Sequence, residues 1–245
     1  MKLTVSVHLL PALIDPTELT DATVVVIDVL RATSTITAAL AAGAAGIIPF
    51  AEVAAARQRA AEFPGPVLLG GEREGKRING FDLGNSPGEY TPEVVQDQTI
   101  LFTTTNGTRA LATCQQASRV WLAGFVNLAA VVSKVDITPE LHILCAGTNE
   151  TISQEDMLLA GALTAALSSR SEPFTPSNDS ARLAQRAWCS SDTQAGQLEH
   201  LLRAGRGGQN LLQLGLEADI AFCATLDRFD VVPSLDPQTG TITRA

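Results

Sequence analysis

The sequence predicts an α/β fold: three α/β/α layers around a mostly parallel sheet, with two similar βαβαβ halves and a mainly helical C-terminal part. Three observations lead there. Short β-branched runs, apolar on both faces, alternate with alanine-rich stretches of helical period between residues 23 and 147. The same order of runs occurs twice, with matched spacing. From residue 151 onward the pattern turns mostly helical.

Residues 23–28 read as a fully buried parallel strand, followed by a helix over 34–42 that Thr33 or Ser34 can cap and Gly43 can end. "AGIIPF" (45–50) is a second strand, "AEVAAARQRAAEF" (51–63) a second helix and "PVLLGGE" (66–72) a third strand. The order recurs as "TILFTTTNGTRALATC" (99–114; strand, loop, helix), a strand at 119–125, a helix at 126–135 and a strand at 141–147. Sliding the first set along the chain until Asp28 lies on Thr103 also lays Phe50 on Phe125 and Pro64 on Pro139. Few residues are identical, so matched spacing carries the duplication, and any two βαβαβ units share some of it. The tail offers helices at 154–169, 178–191, 195–205 and 207–225, then short strands at 228–235 and 239–244. The expected division is 1–97, 98–150 and 151–245, the last completing the second half.

Composition narrows the function. The chain has 245 residues, 45% hydrophobic and 18% charged, which suits a sizeable core. A net charge of −9 argues against a nucleic-acid backbone as partner, but not against a small anionic ligand in a local cationic pocket. No apolar run reaches the ~18 residues of a membrane helix, and the N-terminal stretch lacks the features of a signal peptide. The four cysteines are dispersed without a C-x-x-C, as in a reducing cytoplasm, and the three histidines lack metal-ligand spacing.

Ligands of open α/β sheets bind at the carboxyl ends of parallel strands, so the residues just after each strand are the candidates. "DVLRATS" and "TTTNGTR" occupy equivalent places and both open a helix, where free N–H groups favour anions. Arg31 and Arg109 add charged forks, and Thr33, Ser34, Thr104, Thr105, Asn106 and Gly107 add donors. Simple helix capping would equally explain the hydroxyls, and a surface ion pair Arg31. Asp28 and Glu72 are strand-end carboxylates of the kind that hold magnesium, unless each only neutralises an arginine. The stretch "EREGKRINGFDLGNSPGEY" (72–90) is too long and polar for a plain connection. It carries Arg73, and its Asp82, Asn85 and Ser86 read as a turn folded back over the site. Asp156, near a helix start, is a further metal-ligand candidate, although the helix dipole alone favours an acid there.

"IDVLRATST", "GGEREGKRINGFDLGNSPGEY" and "TTTNGTRAL", in this order, resemble the 2-phosphosulfolactate phosphatase (ComB) family of coenzyme M biosynthesis. The resemblance implies a magnesium-dependent hydrolase of a phosphomonoester that also bears a carboxylate and a sulfonate. With it, Asp28 would hold the metal and Arg31 with the helix start an anionic group; the residues themselves make Glu72 and Asp156 further metal-ligand candidates, Arg73 and Arg109 anion binders, and Asp82 a base or supporting carboxylate. The chain departs from the family where Gly207 stands in place of a histidine, which puts the exact substrate in question. Two alternatives stay open: a covalent phosphoryl-Asp28, weakened because Leu30 replaces the second aspartate of D-x-D, and a non-catalytic sensor of a phosphorylated or sulfonated metabolite. A homodimer is the expected assembly.

Overall fold

The structure, a computed structural model, describes residues 2–136, 138–191 and 197–245. In chain order its elements are β1 (Thr4–His8), β2 (Thr23–Ile27), α1 (Ala32–Ala41), β3 (Gly46–Pro49), α2 (Val53–Ala61), β4 (Val67–Arg73), β5 (Lys76–Arg77), α3 (Pro92–Val95), β6 (Thr99–Thr103), α4 (Gly107–Thr113), β7 (Arg119–Ala123), α5 (Leu128–Lys134), β8 (Glu140–Cys145), α6 (Gln154–Ser168), β9 (Thr175–Pro176), α7 (Asp179–Ser190), α8 (Gln197–Ala204), α9 (Arg206–Gln213), α10 (Glu217–Cys223), β10 (Pro233–Asp236) and β11 (Thr241–Arg244). The fold is the expected α/β class with a large, mostly parallel sheet.

The apolar run of β2 exists because both of its faces are covered. Val25 and Ile27 enter one core, with Trp121, Ile143 and helix α6. Val24 and Val26 enter a second core, with Ile36 and Leu40 of α1 and Ile100 and Phe102 of β6. Each such side chain contributes about 1.5–3 kcal/mol by leaving water.

One sheet runs β5-β4-β6-β3-β11-β10-β7-β2-β8-β1-β9. It contains two parallel blocks. In one, β6 lies between β3 and β4; in the other, β2 lies between β7 and β8. Each repeat unit therefore places its first strand inside the other unit. Registers repeat as well: Val24 pairs with His142, and the shift that lays Asp28 on Thr103 turns this into the observed pair of Thr99 with Val67. The same shift carries the first residue of α1, Ala32, onto that of α4, Gly107, and the first residue of α2, Val53, onto that of α5, Leu128.

The C-terminal hairpin joins the blocks, β10 pairing antiparallel with β7 and β11 with β3. The segment 151–245 thus bridges both halves instead of only completing the second. Because the hairpin and both of its outer contacts are antiparallel, the blocks run in opposite directions. Four strands separate β2 from β6, a span of about 24 Å if flat. Yet a Cβ on Gly107, just past β6, would lie 3.0 Å from the Asp28 carboxylate just past β2. The sheet must curl strongly to bring these ends together.

The structure also revises element boundaries. Helix α1 starts at Ala32, two residues before the expected position. The single helix expected over 207–225 is two, α9 and α10. Gly215 breaks it at φ +71° in a Schellman closure, where Gly215 N–H donates to Leu212 O at 3.1 Å and Leu216 N–H to Leu211 O at 2.9 Å. The first two positions of the helix expected over 195–205 lie outside the described residues. Strand β1, absent from the sequence reading, pairs with β8. No helix of the described residues is long and apolar enough to cross a membrane.

Candidate active site

A cavity of about 400 Å³ opens where β2, β4, β6 and β8 end, with α9 as its outer wall. Asp28 and Glu72 lie at its charged end with Arg31 and Arg73; Thr104, Thr105 and Asn106 form an adjacent edge.

Asp28 is buried, and its Oδ1 accepts the N–H of Ala32 at 3.1 Å, the first residue of α1. Gly107 permits the close approach of α4, since a Cβ there would also meet Ala32 Cβ at 2.7 Å. Burial pushes the Asp28 carboxyl well above the usual range, and the charges of Asp156, Glu72 and Glu155 add to the shift. Glu72 accepts the N–H of Gly75 at 2.7 Å and that of Thr105 at 2.9 Å. It thereby ties the β4–β5 turn to the loop after β6. Asn85 also lines the cavity; its backbone carbonyl accepts the Thr35 hydroxyl at 2.9 Å, and its side-chain Oδ1 is buried without a partner.

The β6–α4 loop is built from its own hydroxyls. Thr104 Oγ1 accepts the N–H of Thr108, and Thr108 Oγ1 donates to Thr104 O at 2.7 Å. Asn106 precedes α4 without a side-chain cap, and among the described residues the N–H groups of Asn106 and Gly107 bond no protein acceptor. These are free donors beside two carboxylates.

Other candidates are placed differently. Thr33 Oγ1 accepts the N–H of Asp28 at 3.1 Å and donates to Ala123 O at the end of β7 at 2.6 Å, and Ser34 Oγ donates to Val29 O at 2.9 Å, so Thr33 ties the β2–α1 turn to β7, Ser34 closes the turn, and neither lines the large cavity. Arg109 is exposed and pairs with the exposed Glu150 at 2.8 Å, outside the cavity lining. Asp82 is exposed too; its Oδ2 accepts Leu69 N–H at 2.8 Å and pins the 72–90 stretch to β4, away from the lining. Asp156 spends both carboxylate oxygens on backbone, accepting Val29 N–H and Gly147 N–H at 2.9 Å each. It locks the ends of β2 and β8 together from behind, and burial raises its pKa to about 6.

Glu155 and Asp156 stand together at the start of α6, where the sequence lets either return to the strand end, whereas Asp219 carries no such signal. Asp219 of α10 forms a 2.6 Å ion pair with Arg31 and accepts the Ser86 hydroxyl at 2.7 Å. Glu155 is buried beneath the start of α9, its pKa raised to about 7 by burial and then by Asp156, with Oε2 unpartnered. Nothing local in "GLEADIAFC" separates Asp219 from an ordinary helix-start acid.

Among the described residues no three His, Cys, Asp or Glu side chains cluster as a metal cage. Asp28 and Glu72 nevertheless fit magnesium, which needs one or two carboxylates with water and ligand oxygens completing its shell. The surplus of buried carboxylates that raises Asp28, together with the orphaned Asn85 Oδ1, favours a hard cation.

The sequence profile of the 2-phosphosulpholactate phosphatase family matches residues 8–238. Proteins named "Probable 2-phosphosulfolactate phosphatase" are similar over most of their length. One from Thermotoga petrophila is 41% identical over 87% of this chain and 88% of its own, and one from Caldanaerobacter subterraneus subsp. tengcongensis is 41% identical over 91% of each. A Synechococcus sp. (strain JA-3-3Ab) protein reaches 43% over 85% of this chain and 86% of its own. The chain belongs to the 2-phosphosulpholactate phosphatase family, a family of phosphoric monoester hydrolases.

Proposed function

We propose that this protein is a magnesium-dependent phosphatase of a small acidic phosphomonoester, 2-phosphosulfolactate, releasing sulfolactate and phosphate. The observation that carries the reading is the juxtaposition of Asp28 and Glu72 with the Thr104–Asn106 loop before the uncapped start of α4. Asp28 and Glu72 would hold the cation. The cation would supply charge neutralisation for phosphoryl oxygens and Lewis acidity for a hydrolytic water. The free N–H of Asn106, on the cavity lining, binds phosphoryl oxygens. Arg73, fixed through Glu72 O, adds a cation beside them. Arg31 faces the rest of the substrate.

Phosphate release should be assayed from 2-phosphosulfolactate, phospholactate and an aryl phosphate, with magnesium and with a chelator. Release from 2-phosphosulfolactate that falls by about 100-fold or more with chelator is the expected result. Release unaffected by chelator overturns the metal assignment, and binding without turnover marks a sensor.

A further inference from the structure

Arg31 is 4% exposed and its guanidinium is held on three sides. Nη1 donates to Asp219 Oδ2 at 2.6 Å and to Ser86 Oγ at 3.1 Å, and Nη2 donates to Gly75 O at 2.8 Å. Ser86 donates in turn to the same Asp219 oxygen, which closes a triangle. Of five N–H donors, Nε–H and one Nη2–H have no acceptor among the described residues, and Nε and Nη2 share one edge of the planar fork. The cavity is where a ligand can meet that edge.

We propose that Asp219 is a positioning residue that sets substrate specificity: it locks and charge-compensates Arg31 so that the free edge reads a singly charged acid group next to the phosphate, a carboxylate or sulfonate. The inference rests on the reading that phosphate binds at Asp28, Glu72 and the Thr104–Asn106 loop. Two points carry it. A two-donor edge matches the paired oxygens of a carboxylate or sulfonate. A guanidinium already neutralised by a buried carboxylate has little field left for a phosphate dianion, which Asp28, Glu72 and the loop after β6 serve. Ser86 of the 72–90 stretch and Asp219 of α10, far apart in sequence, meet at this group.

The test is a binding titration with magnesium present, using sulfolactate and inorganic phosphate as separate probes on wild type and Asp219→Asn. Asn keeps an acceptor for Arg31 and removes the charge. Sulfolactate affinity should fall about tenfold or more while phosphate affinity stays within about twofold. Ser86→Ala, which strands no buried charge, should weaken sulfolactate about threefold in the same selective way and carries the test if Asp219→Asn does not fold. Equal losses for both probes, unchanged sulfolactate affinity, or no sulfolactate binding by wild type overturns the proposal. Because the readout is binding, it stands apart from the turnover assay that tests the phosphatase reading.

Discussion

The two repeat units differ where they should be most alike. Both run strand, helix, strand, helix, strand, one constant shift relates the starts of their helices, and their pairings share one register. Their strand ends carry different chemistry. The first unit ends β2 in Asp28 and β4 in Glu72; the equivalent ends of the second carry Thr103 and, beyond β8, Gly147. One unit supplies carboxylates and the other supplies amides and hydroxyls. Architecture was kept by core packing and strand exchange, which depend on apolar alternation. Chemistry depends on a few residues past the strands, which the core does not constrain.

The sharpest test of this division exchanges nothing but charge. Asp28→Asn should lower turnover by about 10³-fold or more, with the fold retained and the melting temperature equal or higher, because a buried carboxylate among like charges is relieved. Wild-type rates in that variant would remove Asp28 from the chemistry and level the two units.

The strand exchange itself breaks at Gly71. It sits at φ +136°, and a Cβ there would lie 2.0 Å from Thr103 O on the neighbouring strand of the other unit. Gly71→Ala should cost about 3–5 kcal/mol in denaturant unfolding. A loss below about 1 kcal/mol would mean the β4–β6 contact adapts freely.

Glu155, behind the end of β8, tests whether the second unit's side tolerates neutrality. Its folded pKa of about 7 lies above the ordinary 4.5, so its contribution to stability is present below pH 4.5 and is lost as pH rises towards 7. Glu155→Gln should therefore match wild type near pH 4.5 and exceed it by about 2–3 kcal/mol at pH 8, read by urea melts. A difference independent of pH would contradict the raised pKa. The smallest effect is expected at Thr103, the counterpart of Asp28. Its buried hydroxyl has no partner, so Thr103→Val should change stability by less than about 1 kcal/mol and leave turnover near wild type.

Much of this protein was legible because its signals are local. The buried run of β2, the alanine-rich α1, the order of later strands and the loops bearing Asp28, Glu72 and Thr104–Asn106 follow from side-chain period and from the rule that ligands sit past parallel strands. The resemblance carried by three motifs named the family that the similarities establish. Other readings rested on residue type alone and met different partners: Thr33 serves a turn and the end of β7, Ser34 a turn, Arg109 an exposed pair, Asp82 a strand edge and Asp156 two backbone amides. A polar side chain near a site has several partners within reach, and local sequence does not rank them.

Tertiary structure alone decided the exchange of first strands, the curl that sets Gly107 against Asp28, the hairpin that joins the blocks and the pairing of Arg31 with Asp219, 188 positions away. The physical reason is range. Backbone propensity and burial period act over one element. Which strand fills which gap, and which acid meets which arginine, depends on the packing of the whole chain.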